Sequence, residues 1–475
     1  MSETTLSRRA MLRTGLQTTA ALAVLPVSPA LVAPHRQYAA TKPPQLRMLY
    51  ATVEADAAAM QLVAPDFRRE FGIPLQLDTM PYNALQQKVF AELASSSPYY
   101  DIIIVDTPWM PALTRKIQPV TEYLMNKRLT SADVDLPDFI SKVFYDTAVY
   151  HPTKSYLHFP HPGAIDPQAI RSAGFEIFGL PIQANALTMS YRQDLFADPA
   201  NQAAFRKKYG RPLTVPTTWS QFTQVAQFFT RPGQRLWGTT LMPGNGDWAT
   251  DDFKTLLACW GGDGHLVNDK FQPVFNSAAG VAALSYYVDL INKYKVTPAG
   301  VTAFSWDDAA STFDAGLTAM SMNYHTEALN ANVKGKLDYA MVPKQVTYGP
   351  HFGTWMLSVN PYSKNREWAY QGIVWLTSRA AQTKMLQTQL HPARHSVYKA
   401  ALTASGTRKF GSFYSVLERS LSVGVGRPRL KNYADVDHAI WVAVNNAARG
   451  SATPKAALQS AARQVTTLLH QAGYI

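Results

Sequence analysis

Adjacent carboxylates are the first residues of this sequence whose type and spacing could support chemistry. Asp251-Asp252 and Asp307-Asp308 are pairs of neighbouring acids, and general acid–base catalysis uses carboxyl groups that act on one substrate. Neighbours in sequence are more commonly solvated or cap a helix. The sequence alone does not show the separation that two catalytic carboxyl groups require. These pairs by themselves therefore do not indicate a catalytic site.

Three histidines lie close together between residues 150 and 165, in a stretch rich in proline. His151, His158 and His161 could bind a metal ion, but no cysteine or carboxylate set stands at ligand spacing beside them. The proline content predicts a loop, and we expect a surface insertion. We predict no metal site and no cofactor.

The sequence contains none of the motifs that mark common catalytic or phosphate-binding sites. Gly-x-Ser-x-Gly, His-Glu-x-x-His and a phosphate loop are absent. The pieces 244–246 (GNG) and 424–426 (GVG) are turn-like, and neither extends to a dinucleotide fingerprint after a strand. The absence of these motifs makes an enzyme the less favoured class of protein, and we predict that this protein is not an enzyme.

Length and composition indicate a folded chain of two or three domains. The chain has 475 residues, of which 47% are hydrophobic, so it can form ordinary cores. Cys259 is the only cysteine, which excludes a disulfide scaffold. The formal net charge is +12, but no run of lysine and arginine is interleaved with aromatic residues as in a nucleic-acid-binding surface. We expect dispersed surface charge and no nucleic-acid partner.

Residues 1–40 predict an export signal. The basic segment 7–13 (SRRAMLR) precedes an uncharged stretch rich in Ala, Leu and Val, which is the order found in secretory signals. The paired Arg8 and Arg9 favour a twin-arginine signal, and the alternative is an ordinary Sec signal. No cysteine follows the apolar stretch. We therefore expect a soluble periplasmic protein without a lipid anchor.

Strands and helices alternate after residue 43, which predicts βαβ units. Apolar runs predict strands at 46–50, 73–77 and 101–106, and the β-branched centre of the last is typical of a strand buried on both faces of a sheet. Helical spacing predicts helices at 56–71 and 82–94 between them. Further strands are predicted at 180–191, 319–323 and 355–360, and further helices after 219, at 366–377 and from 436 onward.

Six segments together resemble the extracellular solute-binding proteins of sugar ABC importers, a family that includes the maltose-binding protein. The segments follow the order of that family from about residue 46 to the end of the chain. They are 100–109 (YDIIIVDTPW), 178–196 with its FGLP and YRQDLF pieces, 216–219 (PTTW), 313–320 (FDAGLTAM), 355–365 (WMLSVNPYSKN) and 427–458.

The resemblance implies an α/β fold with two lobes, the type II periplasmic-binding-protein fold, in which crossover strands join the lobes and the ligand binds in the cleft between them. Because the chain crosses between lobes, each lobe should be discontinuous in sequence. We predict a signal peptide at 1–40, lobe one at 41–184 and 357–415, and lobe two at 185–356 and 416–475. Such lobes can close on a ligand by hinge motion.

A sugar site combines aromatic rings, which pack against the apolar sugar face, with carboxylates and amides that bind hydroxyl groups. The resemblance places eight residues at such a site: Asp106, Trp109, Asn185, Asp247, Trp248, Tyr324, Glu327 and Trp355. Asn185 and Trp355 lie in the two predicted crossovers. The alternatives are that Trp109 packs in a surface loop, that Asp106 or Asp247 caps a helix, and that Trp355 belongs to a core.

The resemblance also implies a function. It indicates a periplasmic carrier, which we expect to be a monomer, that binds a sugar, oligosaccharide or polyol and delivers it to the permease subunits of an ABC transporter in the inner membrane. The alternative ligand is a phosphorylated polyol or another anion, which the basic composition favours and which would need Arg or Lys in the cleft. An exported enzyme would need a nucleophile and a base that the sequence does not show.

Overall fold

Two mixed sheets with flanking helices organise the chain. The computed structural model describes residues 41–475 except 53–55, 131–133, 325–332, 334–335, 404–405 and 407–408. The predicted signal peptide and the predicted site residue Glu327 lie outside the described residues.

The strands of the described residues fall into two larger sheets and one two-stranded pair. They are β1 (Leu46–Ala51), β2 (Leu75–Met80), β3 (Ile102–Asp106), β4 (Val149–Tyr150), β5 (Glu176–Ile177), β6 (Leu180–Ala186), β7 (Thr188–Tyr191), β8 (Trp237–Thr240), β9 (Thr318–Asn323), β10 (Asp338–Met341) and β11 (Phe352–Val359). The first sheet has the order β2-β1-β3-β11-β6, the second has the order β10-β7-β9-β8, and β4 pairs with β5.

The α-helices lie between these strands and after them. They are α1 (Asp56–Phe71), α2 (Tyr82–Ala94), α3 (Met110–Leu113), α4 (Thr121–Met125), α5 (Ser141–Ala148), α6 (Pro167–Ser172), α7 (Gln193–Ala197), α8 (Pro199–Tyr209), α9 (Trp219–Phe229), α10 (Asp247–Leu257), α11 (Ala278–Asn292), α12 (Trp306–Asp314), α13 (Arg366–Leu376), α14 (Arg379–Met385), α15 (His395–Ala401), α16 (Phe413–Val423), α17 (Tyr433–Ala448) and α18 (Pro454–Gln471). The bounds predicted for α1 and α2 are confirmed.

The first sheet is the centre of lobe one. β1 runs parallel to β2 and β3, whereas β11 runs antiparallel to β3 and β6. Every residue of β3 and β11 is buried, because helices cover both faces of the sheet, as the β-branched sequence of β3 predicted. The apolar side chains of this sheet form one core with those of α1, α2, α5 and α13 to α16.

The second sheet is the centre of lobe two and has a separate core. β7 runs antiparallel to β9 and β10, and β8 runs parallel to β9. The core of this lobe is completed by α9, α10 and α11 and by the two long C-terminal helices α17 and α18. The predicted two-lobed α/β fold is thus confirmed.

The chain passes between the lobes at three places that lie side by side. The first is Leu187, whose N–H donates to the carbonyl of His351 at 2.9 Å. The second is the segment 342–351, which ends at His351. The third is the segment 424–430, where Val425 forms a parallel bridge with His351. We propose that the lobe boundaries fall at these three crossings instead of at 184/185, 356/357 and 415/416.

Two predicted elements differ from the structure around these crossings. The predicted strand 180–191 is two strands, β6 and β7, which join different sheets because the chain crosses at Leu187. The second crossing precedes Phe352, so Trp355 lies inside β11 and does not begin the crossover. β11 extends further toward its N-terminus than predicted because its residues from Phe352 onward pair with β6.

The histidine- and proline-rich segment 150–165 reaches from lobe one to lobe two. The ring of Tyr156 contacts the rings of Phe271 and Tyr474 with centroid distances of 5.2 and 6.0 Å. Within the described part of the chain, no group of His, Cys, Asp and Glu side chains is arranged to hold a metal ion.

In the part of the chain that the structure describes, no helix is long and apolar enough to cross a bilayer.

Candidate ligand-binding site

A cavity of about 310 Å³ lies between the lobes, and we call it the interlobe cavity. Its lining combines aromatic rings, amides and charged groups from both lobes. It is lined by Pro81, Tyr82, Asn83, Asp106, Asn185, Trp248, Ser305, Trp306, Asp307, Tyr324, Gly353, Trp355 and Arg427.

Lobe one contributes residues at the carboxyl ends of its strands. Asp106 is the last residue of β3, and Tyr82 begins α2 shortly after β2 ends. Trp355 of β11 pairs with Asp106 in the sheet register, so the two side chains share one edge of the cavity. Ligands in open α/β sheets commonly bind at this edge, because the loops and helix starts that follow the strands meet there.

Lobe two contributes the starts of two helices. Trp248 lies in the first turn of α10, and Trp306 is the first residue of α12. A capping box between Ser305 and Asp308 fixes the start of α12. The rings of Trp248 and Trp306 meet edge to face with centroids 5.0 Å apart. A Cβ atom on Gly246 would lie 2.3 Å from the Trp248 ring, so this ring position requires glycine before α10.

Aromatic rings from both lobes form a continuous group, which we call the aromatic cluster: Tyr82, Trp109, Trp306 and Trp355. The ring of Tyr82 lies 5.4 Å from Trp109, 5.7 Å from Trp355 and 5.9 Å from Trp306. The contact between Tyr82 and Trp306 joins lobe one to lobe two across the cavity. Ring faces near a cavity provide flat apolar surfaces for a ligand.

Asp106 is a carboxylate buried beside the aromatic cluster, with 3% of its surface exposed. Its Oδ2 accepts a hydrogen bond from the hydroxyl of Tyr82 at 2.8 Å, whereas Oδ1 has no hydrogen-bond partner among the described residues. Burial raises the pKa of Asp106 to about 6, although Arg427 and Tyr82 act in the opposite direction. Near pH 7 this carboxyl group is therefore mostly ionised, and it presents one oxygen that can accept a hydrogen bond from a ligand.

Arg427 lies in the third crossing and brings a buried cation to the cavity wall. Its Nη2 lies 2.9 Å from Asp251 Oδ2 and 3.6 Å from Asp247 Oδ2. Burial alone would lower the pKa of Arg427, but Asp251 and Asp106 raise it well above its usual range. Burial also raises the pKa of Asp247 and Asp251. The guanidinium therefore stays charged and is shared among several carboxyl groups.

His351 and Tyr324 continue this polar network behind the cavity. The Tyr324 hydroxyl contacts His351 Nδ1 and donates to Asp251 Oδ2 at 3.1 Å. Burial lowers the pKa of His351 well below its usual value, and the charge of Arg427 acts in the same direction. The imidazole is therefore neutral and contributes hydrogen bonds without adding charge. The Asn185 side chain also contacts a buried histidine, because its Oδ1 contacts His391 Nδ1.

The structure brings most of the predicted site residues together. Asp106, Asn185, Trp248, Tyr324 and Trp355 line the interlobe cavity. Their role in ligand binding stays a prediction.

Two predicted site residues lie behind the cavity wall. Trp109 is only 2% exposed and supports the rings of Tyr82 and Trp355. Asp247 is the first residue of α10 and contacts Arg427. Sequence reasoning had left open that Asp247 caps this helix, but the cap position belongs to Gly246.

Eight residues of the cavity lining are not among the predicted site residues: Pro81, Tyr82, Asn83, Ser305, Trp306, Asp307, Gly353 and Arg427. Tyr82 and Trp306 could have been found, because each begins a helix after a strand or loop on the cavity side. Arg427 carried no local signal, because the three crossings meet only in the folded chain.

A larger cavity of about 810 Å³ lies on the other side of Arg427. It is bordered by Tyr156 and Arg429 and by the loop around His265 and Phe271. Arg429 donates to the carbonyls of Tyr145 and Val149 at 2.8 and 2.7 Å, so this guanidinium is already used to hold the backbone. We propose the interlobe cavity as the ligand site, because the aromatic cluster and the Asp106 oxygen are found there.

Comparison with known sequences gives one consistent family. The profile of the family described as bacterial extracellular solute-binding protein matches residues 50–383. A probable ABC transporter-binding protein of Deinococcus radiodurans is 26% identical over 313 residues, which cover 62% of this chain and 70% of that protein. A probable amino-acid ABC transporter periplasmic-binding protein of Sinorhizobium fredii is 22% identical over 434 residues, which cover 90% of this chain and 89% of that protein.

Solved structures show the same fold. The maltose-bound MalE3 of T. maritima aligns with a TM-score of 0.72 and 21% identity, covering 90% of this chain and 100% of that one. An ABC transporter solute-binding protein from Agrobacterium radiobacter K84 in complex with ribitol aligns with a TM-score of 0.71 and 22% identity, with coverage of 90% and 100%. The two-lobed architecture is therefore that of periplasmic binding proteins.

Proposed function

Because this chain belongs to the bacterial extracellular solute-binding protein family and is the substrate-binding component of an ABC transporter, we propose that it binds a sugar or polyol in the interlobe cavity and delivers it to the permease subunits. A component of this kind is not an enzyme. Its extracytoplasmic location follows from the family, whereas the type of export signal and the absence of a lipid anchor stay predictions.

The observation that carries the proposal is the meeting of the aromatic cluster with the buried Asp106 carboxylate. Sugars and polyols present C–H surfaces and hydroxyl groups side by side. The rings of Trp355 and Trp306 suit the C–H surfaces, and Asp106 Oδ1 suits a hydroxyl donor. The structural relatives bound to maltose and ribitol support this ligand class.

The volume of the cavity supports a small ligand. Sites for small molecules commonly enclose about 300–1,000 Å³, and the interlobe cavity, at about 310 Å³, lies at the lower end. The contact between Tyr82 and Trp306 also limits its length, because these rings meet across the lobes. We therefore favour a monosaccharide or a linear polyol over a long oligosaccharide.

The charges of the cavity argue against the anionic alternative. A phosphorylated ligand would need an arginine or lysine that is free to pair with it. Arg427 is paired with Asp251, and Asp106 and Asp307 face the same space. A phosphate group would therefore lie beside carboxylates, which repel it.

Thermal shift followed by titration calorimetry tests the proposed function. The panel should contain monosaccharides, pentitols and hexitols, amino derivatives of both, phosphorylated polyols, maltooligosaccharides and amino acids, the last because of the name of the rhizobial relative. We expect a member of the sugar or polyol groups to raise the melting temperature through mass action on the folded state. Stabilisation only by phosphorylated polyols or amino acids, or by no panel member, would contradict the proposal.

A matched pair of variants ties the binding to the cavity. Trp306→Ala should weaken binding about tenfold, because an aromatic contact contributes about 0.5–1.5 kcal/mol beyond area burial. Tyr99→Ala removes an exposed ring of lobe one, 44% accessible and outside the cavity, and should leave affinity unchanged. Equal effects of the two substitutions would contradict the assignment of the site.

A further inference from the structure

The described residues that line the interlobe cavity include carboxyl groups and one guanidinium. Asp106 and Asp307 line the cavity together with one cation, Arg427. The Nη2 atom of Arg427 already lies 2.9 Å from Asp251 and 3.6 Å from Asp247. The carboxyl groups of this network share Arg427, and Lys254 behind the wall also acts on Asp251. Asp106 therefore has only part of one guanidinium as its counter-charge and attracts a further cation.

The Asp106 carboxylate lies where the aromatic rings are. Its Oδ2 accepts a hydrogen bond from the Tyr82 hydroxyl, and Oδ1 is buried without a side-chain partner in the described part of the chain. The ring of Tyr82 in turn contacts those of Trp355 and Trp306. A carboxylate beside aromatic faces attracts an ammonium group, because the carboxylate supplies a charge-assisted hydrogen bond and the rings add cation–π attraction.

We propose that the ligand is a sugar or polyol that carries a protonated amine, such as an amino sugar or an amino polyol, with its ammonium group at Oδ1 of Asp106. This inference rests on the proposed function and narrows its ligand class. The remaining hydroxyl groups of the ligand meet Asn185 and Asp307, and its C–H surface lies against Trp355.

A neutral hydroxyl group also fits Asp106 Oδ1, so an amine ligand and a hydroxyl ligand differ at this site in their charge. With a hydroxyl donor, the counter-charge near the buried carboxylate is Arg427, which Asp251 and Asp247 share. An ammonium donor adds a second positive charge in direct contact with Asp106, an attraction that a hydroxyl donor does not provide. The amino member of a matched pair should therefore bind about ten to a hundred times more tightly.

Calorimetry on matched pairs of ligands tests this inference with the whole protein. The pairs are glucosamine and glucose, galactosamine and galactose, mannosamine and mannose, and glucamine and sorbitol, measured near pH 7, with N-acetylglucosamine as the uncharged amide of glucosamine. We expect at least one amino member to bind about tenfold or more tighter than both its neutral partner and its acetylated form. Equal or tighter binding of the neutral members would overturn the inference and leave the proposed function standing. Failure of every sugar, polyol and amino derivative to bind would overturn both.

Two variants locate the ammonium site. Asp106→Asn keeps the shape of the side chain and an oxygen for Tyr82, but removes the charge, so the preference for the amino member should disappear. Asp289→Asn removes an exposed carboxylate of α11 and should keep the preference. An amine preference that survives Asp106→Asn would overturn the assignment to Asp106.

The pH dependence of the wild-type protein gives the same test without a substitution. Asp106 faces Tyr82 from α2, Arg427 from the third crossing and Asp247 and Asp251 from α10. Burial raises its pKa to about 6, so acidification through pH 6 protonates it while Tyr82 and Arg427 keep their protons. The amine preference should fall over this range, and a preference that rises or stays constant would contradict the proposal.

Discussion

Replacing Arg427 by methionine tests whether one buried guanidinium holds the polar network behind the interlobe cavity. Arg427 belongs to the third crossing, and its Nη2 lies 2.9 Å from Oδ2 of Asp251. The Asp251 side chain is fully buried. It also accepts from the Tyr324 hydroxyl at 3.1 Å, and this neutral donor does not balance its charge. Methionine fills much of the same volume but removes the cation in contact with Asp251, which leaves Lys254 as the positive charge that still acts on this carboxylate.

The expected loss follows from this burial. Removing one partner of a buried ion pair costs about 3–5 kcal/mol, because the other charge remains buried without compensation. Urea unfolding at neutral pH should therefore show Arg427→Met to be less stable than wild type by about that amount. The deficit should shrink as the pH falls, because loss of Arg427 raises the pKa of Asp251 further and a protonated Asp251 needs no counter-charge.

Two further variants show whether the loss of stability comes from the ion pair between Arg427 and Asp251. Arg427→Met combined with Asp251→Asn should be less destabilised than the sum of the two single variants, with a coupling of about 0.5–3 kcal/mol. Arg69→Met removes an exposed arginine that pairs with Asp66 in α1 and should cost no more than about 1 kcal/mol. If Arg427→Met is as mild as Arg69→Met, or if the double variant shows no coupling, the reasoning is refuted.

Three other predictions concern single side chains. Trp355→Ala should lower the free energy of unfolding by about 3–5 kcal/mol, because Trp355 packs on Trp109. It should also weaken ligand binding about tenfold or more, because Trp355 lines the cavity. Unchanged affinity in calorimetry would remove Trp355 from the site. Arg8→Lys combined with Arg9→Lys should trap full-length precursor in the cytoplasm, as seen by immunoblotting of cell fractions, and normal maturation would instead indicate Sec export. Cys259 is buried, and burial raises the pKa of its thiol to about 11, so a thiol reagent should label it only after unfolding; rapid labelling of the folded protein would speak against this burial.

Much of the secondary structure could be predicted from the sequence, because it depends on neighbours along the chain. The helices α1 and α2 have the predicted bounds, and of the two residues that could cap α9, Thr218 and Ser220, Thr218 is the cap. The β-branched run of residues 102–105 forms the buried centre of the first sheet. Where prediction failed, at 180–191, the segment resembled one strand and concealed the crossing at Leu187, since the residues of both strands are buried.

The candidate site could be predicted only in part. Asp106, Trp248 and Trp355 stand beside recognisable strands or helix starts, so the sequence identified them together with the resemblance to the solute-binding family. Arg427 stands apart because nothing near it in sequence indicates that it lies at the cavity. Its position depends on where the three crossings meet in the folded chain.

The sequence by itself determined the α/β class, the order of strands and helices, and several polar and aromatic residues at strand ends. Hydrophobic periodicity and helix caps act over a few residues, so one chain displays them without reference to the fold. Only the tertiary structure decided that Tyr82, Trp306 and Arg427 share one cavity. The charge balance of that cavity, and hence the ligand class that we propose, depends on distances between lobes, and those distances are fixed by the three crossings.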